Sequence, residues 1–171
     1  MRIECFLNLV ENGAPNDTKI ETNHERSLFI CFFVPRIGPY RNYMLHHRYD
    51  ILMLGAPGVG RKSLANQIRN PLLNRLRAQL RVDDFTSILD LSILDQNDSK
   101  MDQAYQMSDG FMLVFSPDSP TSIETMTKIY DAIFQVRNAQ GPTVVVANKC
   151  DLEMEDRQVV EAGMNLAKQW N

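Results

Sequence analysis

Two short stretches hold residues that could do chemistry together. In "VVVANKCDL", residues 144–152, an apolar run delivers Asn148, Lys149 and Asp151 in the order N-K-x-D. A carboxylate at Asp151 can accept from the ring N1–H and the exocyclic amine of guanine. Adenine presents no such donor pair, so the arrangement selects guanine over adenine. Asn148 can hold the base edge and tie loops together, and the Lys149 stem can lie over a purine ring with its charge toward the ribose. The second stretch is "GAPGVGRKSL", residues 55–64. Gly55, Gly58 and Gly60, with Val59 between the last two, open a helix-like segment. Backbone N–H groups from Gly58 to Lys62 can form an anion nest at a helix N-terminus, a cradle for phosphate. Pro57 lacks an N–H and contributes shape. The usual phosphate loop reads G-x-x-x-x-G-K-[ST], but here Arg61 stands between Gly60 and Lys62-Ser63. The plainer alternatives are a strand-to-helix glycine turn and a polar loop in which Asp151 caps the next helix.

These residues need a scaffold that brings them to one edge. "YDILMLG" is a strand ending at a glycine, and "RKSLANQIRN" is helix-like, with Leu64 and Ile68 on one face. "PLLNRLRAQLRV" is expected to be a further helix, with Leu72, Leu73, Leu76 and Leu80 apolar. "TSILDLSILD", residues 86–95, is a strand candidate, and "GFMLVFS" is a nearly continuous apolar run suited to a buried parallel strand. Ile123, Met126, Ile129, Ile133 and Val136 recur at helical spacing, with Ser119 or Thr121 as the expected cap. "GPTVVVANKCD" gives another buried strand, and "EDRQVVEAGMNLAKQW" a final helix. Strands alternating with helices predict an α/β fold, a parallel sheet with helices on both faces. Ligands bind such sheets at the carboxyl ends of the strands, where both polar loops fall.

The totals limit the alternatives. With 171 residues the chain is sized for one ordinary domain. Its 44% hydrophobic and 23% charged composition is that of a soluble globular protein. A net charge of −3 offers no basic field for nucleic acid or anionic lipid. Cys5, Cys31 and Cys150 lie too far apart for a disulfide framework or a zinc site and fit a reducing cytosol. No signal peptide is visible at the start. Residues 1–48 read as an extension, partly disordered across the polar stretch 11–27, before a nucleotide-binding domain at 49–171. Within the extension, "LFICFFV", residues 28–34, is too short to cross a bilayer and plausible as a buried strand.

The run from Met101 to Trp170 resembles the Ras-like small GTPases, most closely their Ras and Rap branch. It carries "MDQAYQMSDGFMLVFSPDSPTSIETM", "NKCDLEMEDRQVV" and "NLAKQW". The resemblance covers roughly residues 49–170 and is close only in the second half. It implies a P-loop three-layer α/β sandwich with a mostly parallel sheet, GTP and GDP as ligands, magnesium, a cytoplasmic setting, and a switch that effector and regulator proteins read. It also implies a way to choose between registers of the glycine loop. With an inserted residue, Lys62 and Ser63 take the lysine and magnesium-serine roles. Without it, Arg61 takes the lysine position and Lys62 the serine position. The family's helix buries apolar residues three and seven places after the lysine. Counted from Arg61 those are Leu64 and Ile68; counted from Lys62 they are Ala65 and Arg69. The ungapped register is therefore expected, with Ser63 a metal ligand only if the helix start rewinds.

The departures from the family pattern bear on activity. Asp95 fits the aspartate that reaches magnesium through a water. The following D-x-x-G-Q pattern is altered, with Asp98 at the glycine and Ser99 at the water-orienting glutamine. Ser99 is too short to align water in the same way, and Asp98-Ser99 reads locally as a helix cap. The switch threonine is not found, and the family's second strand, with its hairpin to the third, is expected to be missing. "LFICFFV" could instead pair at a vacated sheet edge. The chain as given ends at Asn171, before the family's last strand and helix and without a C-a-a-X lipid anchor. One face of the sheet is therefore expected to be bare and apolar. Two functions compete: a GTPase switch with weak hydrolysis, or a degenerate GTPase domain that binds nucleotide weakly and acts through protein contacts. A non-functional fragment is the third reading.

Overall fold

The apolar run after Tyr49 alternates its side chains between two buried faces, as a central strand must. In the computed structural model, which describes residues 30–34, 48–68, 76–82, 85–95, 98–139, 141–149 and 157–170, this run is strand β2 (Arg48–Gly55). Ile51 and Met53 face one layer of the core, and Leu52 and Leu54 the other. In chain order the strands are β1 (Ile30–Val34), β2, β3 (Arg77–Val82), β4 (Phe85–Ile93), β5 (Gly110–Phe115) and β6 (Thr143–Ala147). The helices are α1 (Arg61–Ile68), α2 (Met101–Met107), α3 (Thr121–Arg137) and α4 (Arg157–Gln169). The sheet order is β1-β6-β5-β2-β4-β3. Strands β4, β2, β5 and β6 run parallel, while β3 and β1 are antiparallel at the two edges.

Both edges revise the expectations drawn from the sequence. Residues 77–82 are a strand, not the end of a helix, and β3 pairs with β4 in a hairpin, Arg77 opposite Asp90 and Val82 opposite Phe85. The hairpin expected to be missing is therefore present. The physical reason lies in "RAQLRV", where polar and apolar residues alternate with period two. Leu72 and Leu73 lie outside the described residues. At the other edge Ile30–Val34 bond antiparallel to β6, with Ile30 opposite Ala147, so this segment does pair at a sheet edge, but on the side away from the β3–β4 hairpin and not at an edge the hairpin vacated. Among the described residues, Met112, Val144 and Val146 of the face expected to be bare are buried.

Helices α2, α3 and α4 cover the face built by Leu52, Leu54, Phe111, Leu113, Phe115 and Val145. Tyr130 of α3 stacks on Trp170 just after α4, with ring centroids 4.0 Å apart and 9° between planes. Gly163 lets α4 approach closely, since a Cβ there would overlap the Phe115 ring. Helix α1 lies on the opposite face, burying Leu64 and Ala65 with Met53, Leu89 and Leu91.

The β3–β4 hairpin is held by charge as well as by pairing. The Asp90 carboxylate accepts from Arg77 Nε and from Arg77 Nη2 (3.0 Å), and Arg48 pairs with the same carboxylate. The Arg77 hydrogen bond, then the nearby Arg48 charge, holds the Asp90 carboxyl below the usual range for an aspartate. A carboxyl with a depressed native pKa contributes stability that is complete above about pH 4 and is lost as the pH falls through its native value. Asp90→Asn should therefore lower the urea midpoint by about 0.5 M at pH 7, with a narrower gap to the parent protein at pH 3. Equal gaps at both pH values would show that the ionised carboxylate is not what matters.

Candidate functional site

Four parallel strands end on one edge, and each hands over a polar group there. Strand β2 runs into the glycine loop, and β4 into Leu94 and Asp95. Strand β5 leads to Ser116 and Asp118, and β6 to Asn148 and Lys149. The glycine loop turns because Gly55, Gly58 and Gly60 adopt φ of 153°, 82° and 85°, conformations that residues with a Cβ rarely hold. Between them Val59 is buried and pins the loop to the core under α1.

The two motifs meet. Asn148 Nδ2 donates to the Val59 carbonyl at 2.7 Å, across 89 residues of sequence. Asn148 is itself buried, and its backbone N–H donates to the Phe115 carbonyl at 2.9 Å. Ser116 Oγ donates to the Asn148 carbonyl at 3.3 Å. The Ser116 N–H in turn donates to Ser122 Oγ at 3.1 Å, while Ser122 Oγ donates to the Ser119 carbonyl at 2.5 Å. Ser122 thus organises the start of α3, the role expected of Ser119 or Thr121, neither of which caps it. Buried polar groups in such a chain hold one another because leaving any of them unpaired is costly.

Lys149 adopts a left-handed conformation, φ 63°, and its Nζ pairs with Asp118 Oδ2 at 3.0 Å. The Ser116 hydroxyl first, and the Lys149 ammonium after it, hold the Asp118 carboxyl below the ordinary range. Sequence reasoning did not single out Asp118, Ser116 or Ser122. The available signal was a cluster of short polar residues directly after a buried strand. Asp151 lies outside the described residues.

At the phosphate end the side chains divide sharply. Arg61, the first residue of α1, is 9% exposed, whereas Lys62 and Ser63 are exposed. Arg61 Nη1 donates to the Leu94 carbonyl at 2.7 Å, and Nη2 to Asp95 Oδ1 at 3.0 Å. Asp98 turns back on its own loop, accepting from the Lys100 N–H at 2.9 Å, and Ser99 is exposed.

A family model described as "Ras family" matches residues 50–171, most of the chain. The chain belongs to the Ras family. Its relatives include "Ras-like protein 1" of Saccharomyces cerevisiae, 35% identical over 138 residues, covering 72% of this chain and 44% of that protein. "GTP-binding protein Rit2" of Mus musculus is 31% identical over 136 residues, covering 72% of this chain and 63% of the relative. "Ras-like protein 2" of Mucor circinelloides is 32% identical over 137 residues, covering 72% and 69%. The chain thus spans between under half and about two thirds of the length of these relatives. As a Ras-family protein it has the expected α/β architecture, with the glycine loop and the Asn148-Lys149 segment at the carboxyl edge of the parallel strands. Among the described residues, no helix is long and apolar enough to cross a membrane.

Magnesium in P-loop proteins is held by a loop serine or threonine and by an aspartate near a strand end. The residues here do not fit that ion. Asp95 is engaged by a guanidinium, the residue after Arg61 is a lysine, and Ser63 is exposed one place further on.

Proposed function

We propose that this Ras-family chain binds GDP and GTP between the glycine loop and the N-K-x-D loop and serves as a nucleotide-dependent switch with slow hydrolysis. The observation that carries the reading is the 2.7 Å hydrogen bond from Asn148 to the Val59 carbonyl, which joins the phosphate and base motifs in one site. In this reading the N–H groups from Gly58 to Lys62 hold the phosphates, with Arg61 beside them, and Asp151 selects guanine. Asn148 and Lys149 frame the base. Slow hydrolysis follows from Asp98, whose carboxylate is committed to its own loop, and from Ser99, too short to orient an attacking water. The reading extends to effector and regulator proteins as partners and to a cytoplasmic setting, both supported by family membership. A fluorescent GDP analogue should bind and be displaced by GDP but not by ADP, and Asp151→Asn should erase that preference. Displacement by ADP as readily as by GDP would refute the base assignment. Single-turnover GTP hydrolysis well above the rate without protein would refute the slow-hydrolysis reading.

A further inference from the structure

The Arg61–Asp95 pair joins two elements at the ligand edge. Arg61 begins the helix behind the glycine loop, and Asp95 follows β4, 34 residues later. The arginine is nine-tenths buried, so its charge has left most of its water and must be met by acceptors. Two are present, the Leu94 carbonyl at 2.7 Å and Asp95 Oδ1 at 3.0 Å. Asp95 is 83% exposed, so the pair sits at the mouth of the site, not within the core. A planar guanidinium carries five donors and stays protonated at every pH a protein survives. With one edge on Asp95 and Leu94, it can present its remaining donors toward an anion in the loop. That is the task of a bridging divalent ion, which couples an aspartate to phosphate oxygens. The charge of Lys62, adjacent in sequence, further opposes a second cation nearby.

We propose that the Arg61 guanidinium, anchored by Asp95, takes the place of magnesium in this site, so that guanine nucleotide binds with the same affinity whether or not magnesium is present. The inference rests on the nucleotide reading above. It differs from a merely weakened metal site because the cation is built into the chain and cannot be removed by chelation. It also makes Asp95 a positioning residue for the arginine instead of a group facing a metal.

The test titrates the full chain with a fluorescent GDP analogue in millimolar magnesium and again in excess EDTA. The expected dissociation constants agree within about threefold, whereas a larger tightening by magnesium overturns the inference and leaves the nucleotide reading intact. No binding in either medium overturns both. Asp95→Asn, a change at an exposed position, should weaken GDP by the same factor in both media. A penalty confined to magnesium would mark Asp95 as a metal-facing group and overturn the inference. The double variant Arg61→Lys with Lys62→Ser restores the usual loop residues and frees Asp95. It should acquire at least about tenfold magnesium dependence. If it remains insensitive, Arg61 is not what displaces the ion, and the assignment fails.

Discussion

Gly55→Ala should remove about 4 kcal/mol of stability, a loss near the top of the range for single substitutions. The residue ends β2 opposite Val114 with φ 153°, and a Cβ there would overlap the Val114 carbonyl oxygen. The Val114 carbonyl carbon would lie 3.1 Å away and Val59 Cγ2 3.3 Å away. None of these can step aside. Val114 belongs to β5, which is bonded on one side to β2 and on the other to β6, and Val59 is buried beneath α1. Relief requires either parting two central strands or peeling the glycine loop off the core. A typical domain has only about 5–15 kcal/mol of net stability, so the variant should lose 1.5 M or more in urea midpoint. Gly58→Ala is the control. Its φ is 82°, yet nothing lies within 4 Å of the added carbon, which leaves only the backbone strain of about 1–2 kcal/mol. Equal losses at the two positions would show that conformation, not the close strand contact, governs Gly55.

What could be read from the sequence follows what local pattern encodes. Strands β2, β5 and β6 announce themselves as apolar runs because a parallel sheet buries both faces. Helices α3 and α4 are long enough for their period to show. Residues 77–82 carry two patterns at once. Leu72, Leu73, Leu76 and Leu80 suit a helix, while Arg77-Ala-Gln-Leu-Arg-Val alternates as a strand does. The choice is made by a partner elsewhere, β4, whose Asp90 lies opposite Arg77 and receives its guanidinium. The covering of Met112, Val144 and Val146 is likewise a tertiary fact that no window of sequence reveals. In the site, the loops and their order were legible, and so was a tying role for Asn148. The Arg61–Asp95 pair was not, because it depends on where β4 stops relative to the start of α1. The Lys149–Asp118 pair was hidden in the same way, since it joins the ends of two neighbouring strands.

The second large effect is expected on binding. Gly60→Ala should weaken GDP by about 100-fold, equivalent to roughly 2.7 kcal/mol. At φ 85° an alanine is strained by about 1–2 kcal/mol, and its Cβ would lie 2.5 Å from Asn148 Nδ2. That nitrogen is fixed by its bond to the Val59 carbonyl, one residue before the substitution. The clash therefore falls on the group that fastens the glycine loop to the N-K-x-D loop. Breaking that buried hydrogen bond costs about 1–3 kcal/mol, and the loop escapes the cost by leaving the conformation in which its N–H groups converge. Binding must then restore the conformation, and the nucleotide affinity falls by that amount. A double-mutant cycle separates the two causes. Asn148→Ala removes the obstructing amide as well as the tie, so adding Gly60→Ala to it should cost only the backbone strain, about tenfold. The two substitutions should thus be strongly non-additive, as expected of groups in contact. If their effects on GDP affinity multiply, the glycine is needed for the loop's own geometry and the contact with Asn148 plays no part.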